Sequence, residues 1–143
     1  VKIIHVVRNP LDNIATIHRR QNLALKEATQ YYFHHAATNA RLVEEFPDLV
    51  LTLHHEAVSR EPARELRRLC HFLGLDAPAD YLEACAQVVF TEPRKTRCDS
   101  AWTQTLITEV LERSQSHFFL QRYLSEIADF ARQNDSKNKM AAA

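Results

Sequence analysis

Lys2-Ile3-Ile4-His5-Val6-Val7-Arg8-Asn9-Pro10-Leu11-Asp12 carries a strand signal, a turn and a helix start in immediate succession. Residues 2–7 are rich in β-branched side chains and stop at a turn signal, which predicts a buried strand. Asn9 is a good helix N-cap and Pro10 fits the first helical position. Asp12, three residues after the cap, stands where an acid complements the exposed amides of a first turn. A helix from about Pro10 follows, with Ile14, Ile17 and Leu25 on its apolar side.

Outward from this junction, Tyr31 to Glu45 continues helical, with Phe33, Ala37, Ala40 and Val43 roughly in period, until Pro47-Asp48 breaks it. Leu49 to His54 reads as a second buried strand. Ser59 is expected to cap a helix carrying Leu66, Leu69, Phe72 and Leu73, with Gly74 as its left-handed C-cap. A short helix is expected over Pro78 to Val88. Residues 90–101 read as a loop containing Arg94, Lys95 and Arg97. From about Thr103 to Gln133 the pattern is helical again, broken near Ser114 to Ser116.

Strand, helices, strand, helices is the order of an α/β layered fold, helix-rich and with two recognisable strands of parallel type. Parallel strands come in sheets of several, covered on both faces, so two strands suggest part of a larger domain. Residues 1–133 are read as one domain and 134–143 as a frayed, disordered tail. A chain beginning at Val1, inside an apolar run, reads as a fragment.

Composition narrows the function. The 143 residues are 45% hydrophobic and 25% charged, as expected of a globular chain. The 18 basic and 18 acidic side chains cancel, which argues against a nucleic-acid partner. No run approaches the roughly 18 apolar residues of a bilayer span, so this segment is expected to make no membrane contact. One glycine in the chain leaves no glycine-rich phosphate loop. Cys70, Cys85 and Cys98 match no zinc spacing and read as buried or free thiols; a Cys70–Cys85 bridge would need an oxidising compartment. His34-His35 and His54-His55 lack ligand spacing, so no metal is expected. Phe118, Phe119, Tyr123 and Phe130 read as core.

In α/β proteins ligands lie at the carboxyl ends of strands, where helix amino ends favour anions. Arg8 stands at such an end, and Asn9, Asp12 and Thr16 share one helix face opposite Ile14 and Ile17. An arginine fork and a hydroxyl near a helix start suit a phosphate dianion. Arg8 could instead pair with a carboxylate, and Thr16 could bond back to its own helix.

Lys2-Ile-Ile-His-Val-Val-Arg-Asn-Pro-Leu-Asp-Asn-Ile-Ala-Thr16 resembles the strand-loop-helix of the sulfotransferase superfamily, whose fold is of the P-loop type and whose donor is 3′-phosphoadenosine 5′-phosphosulfate (PAPS). The resemblance implies that Arg8 and Thr16 hold the nucleotide's 3′-phosphate, with threonine in place of the family's serine. It continues through Val50 to Leu75, where the second strand, His55-Glu56, Glu61-Pro62 and Leu69-Cys-His-Phe-Leu-Gly-Leu75 are similar to family segments. It implies that His55 takes the place of a tyrosine beside the adenosine. Phe90 to Trp102 is similar to a late loop whose cations return to the 3′-phosphate, which implies Lys95 and Arg97. By the same resemblance this is the carboxyl-terminal half of the domain, without the donor loop or the catalytic base. The isolated chain is then expected to be inactive.

The function implied is transfer of a sulfuryl group from PAPS to an acceptor hydroxyl or amine, with PAPS as co-substrate and no metal. The acceptor would be a carbohydrate or a small molecule. The alternatives are a non-catalytic helical interaction module derived from the same fold and, more remotely, a kinase-like phosphotransfer domain. The compartment, Golgi lumen with an upstream anchor or cytoplasm, and the oligomeric state stay open.

Overall fold

A computed structural model describes residues 1–89 and 91–141. Phe90, which opens the Phe90 to Trp102 stretch, and Ala142 and Ala143 of the expected tail lie outside the described residues. The element order is β1 (Ile3–Val7), α1 (Pro10–Gln21), α2 (Leu25–Glu45), β2 (Val50–His54), α3 (His55–Arg60), α4 (Pro62–Leu73), α5 (Ala79–Gln87), a 3₁₀ turn (Thr96–Asp99), α6 (Gln104–Gln115), a second 3₁₀ segment (Phe118–Tyr123) and α7 (Leu124–Ala141). The fold is thus α/β and helix-rich, with two parallel strands among the described residues. It divides into two compact units, Val1–Arg8 with Arg41–Arg94, and Asn9–Ala40 with Lys95–Ala143.

In the first unit β1 and β2 pair in parallel, from Ile3 opposite Val50 to Val7 opposite His54. His5 and Thr52 are cross-strand partners, and the His5 ring and the Thr52 hydroxyl lie 3.3 Å apart. The expectation that both strands are buried is corrected for β1. Its Val7 is buried, but Ile4 and Val6 stand exposed, because in a two-stranded sheet nothing among the described residues of this unit covers their side.

Ser59 is not the helix cap expected of it. It lies inside α3, where its hydroxyl donates to the His55 carbonyl, and α4 starts instead at Pro62 after Glu61. A serine bonded back within a helix is a known competitor of the capping role. Gly74 does end α4 in the left-handed conformation, at φ 71°. Cys70, Cys85 and Cys98 are free thiols. Cys85 lies one turn after Tyr81 on α5, and a hydrogen bond to that thiol raises the Tyr81 hydroxyl pKa.

In the second unit α1 starts as the sequence predicts. The Asn9 side chain accepts from the Leu11 N–H at 3.0 Å, and Pro10 occupies the first turn. Leu11, Ile14 and Ala15 are buried. Leu25 belongs to α2, not to the apolar face of α1. Asn22 turns left-handed at φ 52° and ends α1, and the Ala24 N–H then donates to the Glu27 carboxylate at the start of α2. The buried stripe of α2 is Ala28, Thr29, Tyr32, Phe33 and Ala36, so Ala37 falls one position outside it.

The expected break after α6 is real: Ser114 folds its hydroxyl onto the Val110 carbonyl, and a 3₁₀ segment follows. Within it Phe119 and Tyr123 are buried while Phe118 is exposed. His117 is stacked against both Phe33 and Phe119, and burial, seconded by the charge of Arg113, lowers its pKa. α7 continues past Asn134, where the sequence predicts a frayed tail, with Lys139 paired to Asp135 one turn back. No helix among the described residues is long and apolar enough to cross a membrane.

Candidate functional site

The residues expected to form the site fall into a set in each unit. In the first unit the last register pair of the sheet is Val7 opposite His54. Arg8 and His55 are the next residues of the two strands, so they leave neighbouring carboxyl ends of a parallel sheet. This is where α/β proteins place their ligands. Arg8 donates from Nη2 to the Arg94 carbonyl. His55 opens α3 directly, and its Nδ1 is buried with no hydrogen-bond partner. A buried ring nitrogen of that kind is costly unless a polar group meets it, a need that a polar ligand would suit.

The second unit gathers Thr16, Lys95 and Arg97. Thr16 lies on the second turn of α1, and its hydroxyl is 3.3 Å from that of Thr96. Both hydroxyls donate to one acceptor, the Asp12 carbonyl, at 2.8 Å from Thr16 and 2.7 Å from Thr96. The back-bond that the sequence leaves open for Thr16 is therefore formed. Lys95 precedes this pair and is exposed.

Arg97 stands differently from its neighbours. Reading the Arg94 to Arg97 run as a solvated loop describes Arg94 and Lys95, which are exposed, but Arg97 is only 6% exposed. Its Nη2 lies 3.0 Å from a Glu126 carboxylate oxygen and 3.4 Å from Asp12 Oδ2. Its backbone N–H donates to Asp12 Oδ1 at 2.8 Å, and its carbonyl accepts from the Trp102 indole at 3.1 Å. The Asn9 side-chain amide donates to the same Glu126 oxygen at 3.2 Å. The guanidinium is thus balanced by two carboxylates before any ligand is considered.

Sequence reasoning missed Thr96 and Glu126. Thr96 carries no signal beyond adjacency to Lys95, and Glu126 sits in a helical pattern where an acid is ordinary. Asp12 is singled out by the sequence as a first-turn acid, yet its carboxylate is taken by Arg97, far along the chain.

The profile described as the sulfotransferase family matches residues 1–79, which include β1, the Arg8 turn, α1, β2 and His55. The chain belongs to the sulfotransferase family. Membership carries the coarse class of activity, sulfotransfer, and the matched residues stop short of Lys95 and Arg97. No curated protein matches the chain. No solved structure matches it either.

Proposed function

We propose that the protein is a PAPS-dependent sulfotransferase and that this chain supplies the half that grips the 3′-phosphate, within a layered sheet of the P-loop type. The observation that carries the reading is the placement of Arg8 and His55 at neighbouring carboxyl ends of two parallel strands, inside the matched residues. Arg8 and Thr16 would hold the 3′-phosphate, His55 would lie beside the adenosine, and Lys95 would add charge from the late loop. Arg97 is retained among the residues serving that grip, although its own charge is balanced by Asp12 and Glu126.

PAPS supplies the activated sulfuryl group, which passes to an acceptor hydroxyl or amine of a carbohydrate or small molecule and leaves adenosine 3′,5′-bisphosphate. The residues named here bind and orient. An arginine fork recognises the phosphate dianion, and a hydroxyl donates to it without adding charge. None of them is assigned to take the acceptor's proton, so the chain alone is expected to bind the nucleotide without turnover.

Calorimetry with adenosine 3′,5′-bisphosphate tests the reading. Arg8→Ala is expected to weaken binding by about 2 kcal/mol, roughly 30-fold, the cost of a charge-assisted hydrogen bond left unmade. Unchanged affinity would remove Arg8 from the site. Absence of binding by the unsubstituted chain would favour the second reading, an interaction module, which the exposed Ile4 and Val6 side of β1 supports.

A further inference from the structure

Asp12 is buried, and it is the point at which α1 and the Thr96–Arg97 segment are joined. A carboxylate out of water is costly unless it is paired and hydrogen-bonded. Here the partners come through both parts of the residue. The carboxylate takes the Arg97 backbone N–H and faces its guanidinium, while the carbonyl takes the hydroxyls of Thr16 and Thr96. Arg97 is fixed on its other side by Glu126, which Asn9 also holds. Every one of these bonds lies within the second unit.

The charges decide what this cluster can do. One guanidinium is matched by two carboxylates, so the cluster offers no net positive charge to an anion, and Arg97 contributes little direct attraction. What it fixes is position. The Thr96 hydroxyl is held beside that of Thr16, and Lys95, the preceding residue, leaves from that anchored segment.

We propose that Asp12 is a positioning residue of the 3′-phosphate grip. Through its carboxylate's bonds to Arg97 it holds the Thr96 segment against α1, keeps the Thr16 and Thr96 hydroxyls side by side and sets where Lys95 starts, so that the two hydroxyls, on turning their protons from the Asp12 carbonyl to a ligand oxygen, and one ammonium converge on a single phosphate. The inference rests on the proposed nucleotide reading and goes beyond it by giving Asp12 and Thr96 roles and by making Arg97 a support instead of a direct ligand.

The test compares two nucleotides on the 143-residue chain. Adenosine 3′,5′-bisphosphate and adenosine 5′-monophosphate differ by the 3′-phosphate, so the ratio of their dissociation constants in calorimetry reports the grip alone. Thr96→Val removes the hydroxyl at nearly constant volume, and Thr96→Ser restores it. Asp12→Asn keeps an oxygen for the Arg97 N–H and removes the charge. Thr96→Val and Asp12→Asn are each expected to lower bisphosphate affinity about tenfold, the worth of one misplaced hydrogen bond, with monophosphate affinity changed less than about twofold. Thr96→Ser is expected to keep the ratio of the unsubstituted chain.

A ratio that survives Thr96→Val and Asp12→Asn would overturn the positioning role and leave the nucleotide reading standing. Equal losses for both nucleotides would overturn it as well, since a merely structural role predicts that pattern. Absence of any preference for the bisphosphate in the unsubstituted chain would remove both readings together. Should Asp12→Asn fail to fold, as melting would reveal, Asp12→Glu, which keeps the charge and displaces the carboxylate by one methylene, is expected to show the same loss for the bisphosphate alone, and an unchanged ratio would overturn the role.

Discussion

Two arginines, one in each unit, meet carboxylates at nearly the same distance under opposite conditions. In the first unit Arg64 lies 2.8 Å from Glu61, with side chains 65% and 55% exposed. In the second Arg97 lies 3.0 Å from Glu126 and 3.4 Å from Asp12, with the Arg97 and Asp12 side chains 8% and 4% exposed. Distance alone would rank the pairs alike. Water sets them apart: an exposed pair is screened and loses side-chain entropy, whereas a buried charge deprived of its partner keeps the whole desolvation cost. The larger prediction follows directly. Arg97→Ala is expected to destabilise folding by about 3–5 kcal/mol in urea titrations, because Asp12 would remain buried without its cation. Arg64→Ala is expected to shift the unfolding midpoint far less, because the buried Glu65 carboxylate, 3.8 Å from Arg64, keeps its pairing with Arg68. Equal shifts for the two variants would show that the cluster around Arg97 is open to solvent.

A smaller effect distinguishes the ways in which the units end their helices. Gly74 in the first and Asn22 in the second both adopt left-handed backbone, at φ 71° and φ 52°. A Cβ at Gly74 would meet nothing within 4 Å, so Gly74→Ala isolates the backbone cost. It is expected to destabilise by about 1 kcal/mol in the same titration. A neutral result would mean that α4 can end without the left-handed residue, although the Leu75 N–H bond to the Cys70 carbonyl depends on it.

What the sequence made legible follows the range of each signal. Asn9, Pro10 and Gly74 act on bonds a few residues away, and each takes the position its chemistry predicts. Arg8, Thr16 and His55 take the places that one contiguous stretch and one strand end predict, after β1, on α1 and after β2. Ser59 and Leu25 were misplaced by competing local choices, a serine bonding back within α3 and an asparagine ending α1 early. The Asp12 cluster was illegible for a different reason. Its partners Thr96 and Arg97 lie 84 and 85 positions away, and no pattern in one sequence specifies a pairing across that separation. The burial of Arg97 within a cationic loop followed from that pairing and shared its invisibility.

The smallest expected effect concerns the side of β1 that nothing among the described residues of its unit covers. Alternation along a strand sends Ile4 and Val6 to one face and Ile3, His5 and Val7 to the other. Val7 is 3% exposed and Val6 59%. Val6→Thr keeps the branched shape and strand propensity and adds one hydroxyl. At the exposure observed, that hydroxyl meets water, and the change is expected to stay within about 0.5 kcal/mol. The same substitution under a cover would bury an unpaired hydroxyl and cost about 1–3 kcal/mol. Urea titration of Val6→Thr at two protein concentrations therefore measures whether the face is open. A loss above about 1 kcal/mol that grows with concentration would mean that another molecule packs on β1, since stabilisation by a partner rises with its concentration. A small, concentration-independent change would establish that the Ile4 and Val6 side of β1 is open to water.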